Sequence, residues 1–109
     1  MLRNIFFALV GVTALTLTST SVLAADAGAG KDAYVKNGCA ACHGSEGQSV
    51  NAKMFPVLKD KDASFIVEQL HAFKSGARVG KGAGVIMNAK AKALSDDDIA
   101  NIAAFVTGG

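Results

Sequence analysis

Both cysteines of the chain and one of its two histidines stand within five residues, Cys39-Ala40-Ala41-Cys42-His43. Two thiols three positions apart lie on one helical turn, so each can add to a vinyl group of the same porphyrin. The imidazole that follows is carried with them and can bind the iron as proximal ligand. C-x-x-C-H is the spacing of c-type haem attachment. In an oxidising compartment the plain alternative is a disulfide between Cys39 and Cys42. A thioredoxin-like pair needs a βαβ pattern around it, and no strand-rich run is present. Zinc needs about four ligands, and beyond these three only His71 remains, far along another segment. The motif therefore predicts one haem c, covalent through Cys39 and Cys42.

The open face of that iron decides the chemistry. A thioether or second imidazole there makes an electron carrier, and an empty face leaves room for gas binding or catalysis. The candidates are Met54, Met87 and His71. Met54 follows His43 by only eleven residues, on chain just leaving the proximal side. Met87 lies on a separate loop between two helical segments, from which it can approach the opposite face. His71 falls off the apolar stripe of its own segment, as a surface or propionate-facing histidine would.

The elements that must position these groups read as helices. Residues 26–38 suggest a helix of two to three turns, capped near Asp26 and closed by Gly38. Gly30 and Tyr34 share a face at i and i+4. A glycine there implies either a closely crossing backbone or simple tolerance near a helix start. Gly44 to Asn51 is polar and glycine-rich, a loop. Phe55-Pro56-Val57-Leu58 follows, with the only proline of the chain. Ile66, Leu70 and Phe73 then recur at i, i+4 and i+7, predicting a helix over Ser64 to Ser75 with Asp62 or Ser64 as cap and Gly76 at its end. Gly76 to Gly84 reads as a flexible loop, Val85-Ile86-Met87 as an apolar knot within polar sequence, and Ala89 to Ala93 as a short helical turn. In the last segment Ser95 caps a helix whose first turn is Asp96-Asp97-Asp98, where the dipole favours anions. Ile99, Ile102, Ala103 and Val106 form its buried face, with Phe105 beside it. The class is all-α, three main helices joined by long loops, and loops of that length in a small domain usually carry function or wrap a ligand.

The N-terminus bounds the setting. One arginine, an apolar run from Ile5 to about Leu17 and the small-residue close Val22-Leu23-Ala24 read as a secretory signal peptide over residues 1–24, with Ala25 the neighbouring cleavage point and an uncleaved anchor the alternative. Cleavage after Ala24 leaves 85 of the 109 residues, 25–109, as one domain. At that size a core is marginal without a staple or cofactor, and only Tyr34, Phe55, Phe65, Phe73 and Phe105 supply aromatic bulk. The remaining ten basic and nine acidic side chains nearly balance, and the lysines form no stripe for nucleic acid.

As a set, these residues resemble the class I c-type cytochromes, specifically the short bacterial monohaem kind, over nearly all of residues 26–109. The carriers are Gly30 and Tyr34 before Cys39-Ala40-Ala41-Cys42-His43-Gly44, then Pro56-x-Leu58 and Gln69-Leu70-x-x-Phe73-x-x-Gly76-x-Arg78. Met87 follows, seven residues before Leu94-Ser95-Asp96, and Asp98 to Phe105 completes the set. The resemblance implies a small cytochrome c fold wrapped around one covalent haem, with His43 as proximal and Met87 as distal ligand. It implies that the Pro56 carbonyl accepts the Nδ1–H of His43, and that Gly30 and Tyr34 pack against Ile102 and Phe105 where the first and last helices cross. Phe55 stands where a small residue often precedes the proline, and no proline follows Met87.

The function these readings predict is a periplasmic, monomeric electron-transfer protein rather than an enzyme. It would exchange single electrons with redox protein partners, including transient contact with membrane-bound complexes. Lys53, Lys59, Lys61, Lys81, Lys90 and Lys92 either steer an acidic partner or form an ordinary solvated surface. The rivals are a haem enzyme or gas-binding sensor with an exchangeable sixth site, and a fixed haem subunit of a larger oxidoreductase.

Overall fold

A computed structural model describes Gly11 and residues 25–108. The predicted leader otherwise lies outside the described residues. Among these, every regular element is helical. Asp26 opens α1 (Ala27–Lys36) by accepting from the amides of Gly28 and Ala29, two of the donors that a helix N-terminus leaves unpaired. Gly38, with φ of 73°, turns the chain from α1 directly into α2 (Ala40–His43). After a long loop, α3 (Ala63–Ser75) starts at Asp62 and stops at Gly76, whose left-handed φ of 84° suits a residue without Cβ. The last helix, α5 (Asp96–Val106), carries a full capping box between Ser95 and Asp98.

α1 and α5 cross at Gly30. A Cβ built there would lie 1.9 Å from the backbone oxygen of Asn101, so the close-approach reading of that glycine is the right one. One turn further along, the rings of Tyr34 and Phe105 meet edge to face, centroids 5.3 Å apart. Tyr34, Ile99 and Val106 are the largest fully buried side chains, and Ile66, Leu94, Ile102 and Ala103 complete the core around them. The stripe predicted on α3 faces that core, with Ile66 and Phe73 buried and Leu70 partly so.

One element departs from expectation. Val85-Ile86-Met87 is no knot within a loop. After a single 3₁₀ turn (Gly82–Gly84) it forms the first turn of α4 (Val85–Lys92), which packs on α3. Met87 is therefore mounted on a helix. The preceding glycines hide this locally, because what holds the turn comes from α3 and the loop after it, as described below.

Candidate functional site

α2 is a single turn, and it presents both thiols and the imidazole to one side. Its end is fixed from α1: the Tyr34 hydroxyl donates to the Gly44 carbonyl from within the core. Burial, with a smaller contribution from the Cys39 thiol, pushes the Tyr34 phenol up to about 12. Tyr34→Phe leaves the Gly44 carbonyl only the long bond from the Gly47 amide, at 3.4 Å, and should cost about 1–3 kcal/mol in guanidinium unfolding. The raised pKa gives a second readout. Unfolded tyrosine ionises near pH 10, whereas folded Tyr34 holds its proton to about 12. Stability should hold steady below pH 10 and fall between 10 and 12, and Tyr34→Phe should lack that part of the fall.

His43 is 7 % exposed, and its Nδ1 lies 3.1 Å from the Pro56 carbonyl oxygen. With Nδ1–H donating to that carbonyl, Nε2 is left bare as a metal ligand. The support continues one layer out. Ser49 sits at a φ of 71°, unusual for a residue with a Cβ. From there its hydroxyl donates to the Phe55 carbonyl at 2.6 Å, while its amide donates to the His43 carbonyl. The Phe55-Pro56 peptide is thereby tied to α2, and the Phe55 ring meets His43 at 6.4 Å, edge to face.

Cys39, Cys42, His43, Pro56 and Met87 all line one cavity of about 590 Å³. Its walls are mainly apolar, contributed by α2, the Phe55–Leu58 segment, α3 and α4. Several large apolar side chains around it stand bare to solvent, among them Met54 at 61 %, Val79 at 69 % and Ile86 at 57 %. A flat apolar body seated in the cavity would cover that surface, which a small domain does not ordinarily leave open. No disulfide joins Cys39 to Cys42, and burial pushes the Cys39 thiol up while the Lys90 ammonium pulls it the other way. Among the described residues no group of three His, Cys, Asp or Glu side chains is placed to hold a metal ion. A porphyrin with two vinyl groups and an iron fits the donor set, the shape and the polarity of this cavity.

The described residues 27–108 match the family model for cytochrome c. The chain belongs to the cytochrome c family. It is 40 % identical over 82 residues to cytochrome c-554(548) of Halomonas halodenitrificans, spanning 75 % of this chain and 94 % of that one. It is 39 % identical over 72 residues to cytochrome c-553 of Helicobacter pylori, 63 % of this chain and 68 % of that one. It is also 36 % identical to the thiosulfate dehydrogenase electron acceptor of Stutzerimonas stutzeri, covering 94 % of this chain but only 47 % of that longer relative. This cytochrome c therefore binds one haem c through the Cys39–His43 motif and transfers electrons on it.

Of the other candidates, Met54 lines the cytochrome's cavity and His71 does not. His71 instead lies 3.8 Å from the Asp96 carboxylate, which Lys74 also approaches. Of the six lysines singled out, Lys61, Lys81 and Lys90 border the cavity. Reading the residues alone gave no role to Arg78, Gln69 or Asn88. Arg78 borders the cavity with its guanidinium 4.5 Å over the Phe73 ring and bonded to Gln69 at 2.6 Å. Nothing in local spacing marks such a pair, because the loop that returns Arg78 to α3 has no periodicity.

Proposed function

We propose that the protein is an exported, periplasmic one-electron carrier that turns over no substrate, with His43 and Met87 as the two iron ligands. The observation that carries the reading is that the attachment motif on α2 and Met87 on α4 line one apolar cavity. Bound haem supplies a single-electron Fe(II)/Fe(III) couple. The chain's part is to hold it. Cys39 and Cys42 anchor it by thioethers, Pro56 orients His43, and the apolar walls keep water from the metal, which together with a thioether ligand favours a high potential. Lys61, Lys81 and Lys90 give the rim a positive field that would steer an acidic redox partner. Donors and acceptors of this kind include dehydrogenases and membrane-bound complexes met transiently. Residues 1–24 direct export and are removed after Ala24.

Protein purified from the periplasm should have the mass of residues 25–109 plus one haem, with no free thiol. On an electrode it should give one reversible one-electron wave, and its reduced form should not take up carbon monoxide. Ready uptake would mean an open sixth site and would replace the carrier by the gas-binding or catalytic reading.

A further inference from the structure

Asn88 follows Met87 directly, and its side chain faces away from the helix that bears it. Its Oδ1 accepts from the Gly80 amide at 2.9 Å. Its Nδ2 donates to two carbonyls, Phe73 at 3.0 Å and Arg78 at 2.7 Å. The reversed carboxamide would set two N–H groups against an amide and an oxygen against two carbonyls, so the network admits one orientation. One side chain thus joins three segments: the last turn of α3, whose carbonyls have no helical partner, the loop behind it, and the first turn of α4. Beyond packing on α3, the helix start itself adds little to hold that turn. Gly84, at its start, offers no side-chain cap, and the only proline of the chain is distant Pro56. Gly80 is itself pressed against the next bend, where a Cβ would lie 1.8 Å from the Gly84 carbonyl oxygen. The loop is therefore folded tightly onto the residue that Asn88 holds.

We propose that Asn88 is the positioning residue for the distal ligand, a latch that keeps the α4 turn closed and Met87 at the iron. The inference rests on Met87 being that ligand. With the latch intact, displacing the Met87 sulfur means breaking all three bonds at once. Without it, the first turn of α4 can lift while buried Ala91 and the core around Tyr34 and Ile99 stay packed.

Imidazole added to the oxidised protein reads this directly. It binds only molecules whose Met87 has left, so its apparent affinity is proportional to the open population. Asn88→Ala should bind imidazole at least ~10-fold more tightly than wild type, the loss of its three hydrogen bonds, two of them part-buried, acting on opening alone. Ser95→Ala, which loses stability through the α5 cap, should leave that affinity at the wild-type level. An unchanged affinity in Asn88→Ala, or an equal rise in Ser95→Ala, overturns the latch. Met87→Ala separates the two readings. If it leaves imidazole affinity unchanged, Met87 is no ligand and the latch falls with it. If it raises the affinity while Asn88→Ala does not, only the latch falls. Should Asn88→Ala fail to fold, hydrogen exchange at the Gly80 amide in wild type decides. That amide should be protected in the oxidised protein and exchange quickly once imidazole is bound. Equal protection in both states would show Met87 leaving with the latch shut, and would overturn the proposal.

Discussion

Adding one methyl group at residue 30 should destabilise the protein by about 3 kcal/mol or more, beyond the ordinary range for a surface change. The Cβ of Gly30→Ala would sit 1.9 Å from the Asn101 oxygen, 2.4 Å from its carbonyl carbon and 3.0 Å from the Ile102 nitrogen. All three are backbone atoms, so no rotamer change relieves the clash, and α1 and α5 must part. Parting them opens the Tyr34–Phe105 contact and the centre of the core. Alanine's better helix propensity returns at most ~1 kcal/mol. For a domain of this size the melting temperature should fall by ~12 °C or more. Gly28→Ala is the matched control, since its Cβ would meet only the Asp26 carboxylate at 3.2 Å. It should melt within a few degrees of wild type. Equal melting of Gly30→Ala and wild type would mean that the crossing has slack the structure does not show.

The second large effect is expected at the iron. Met87→Ala should fold, because Met87 lies outside the buried core, yet its reduction potential should fall. A thioether favours Fe(II), and water or a hard ligand in its place favours Fe(III). The drop should be on the order of 100 mV or more, within the ~0.8 V that axial ligands span. The reduced variant should take up carbon monoxide, which the wild type should refuse. Potentiometric titration alongside Met54→Ala assigns the effect, because Met54 borders the same cavity. A fall in potential in Met54→Ala and none in Met87→Ala would reverse the assignment.

How much of this was legible beforehand follows from the range of the interactions involved. The attachment motif and the caps at Asp26 and Ser95 are local, and each was readable from a few neighbours. The α5 face was readable because Ile99, Ile102, Ala103 and Val106 recur at helical spacing and are buried as that spacing implies. Gly30 was ambiguous for the opposite reason. Its partner, Asn101, lies at the far end of the chain, and only the crossing of α1 with α5 chooses between tolerance and necessity. The first turn of α4 was missed because its window is rich in glycine and lysine. What makes it helical is packing on α3 and the three long-range bonds of Asn88, and neither leaves a mark on periodicity. The cavity has no local signature either. It exists because α2, α3 and α4 are held apart around a space that the sequence describes only through its two cysteines and their histidine.

A near-infrared spectrum of the oxidised protein tests the identity of the sulfur ligand most directly. Wild type should show the weak sulfur-to-iron charge-transfer band, and Met87→Ala should lose it while keeping both thioether links. A wild-type spectrum without the band, or a band that survives in Met87→Ala, would contradict a His43/Met87 site.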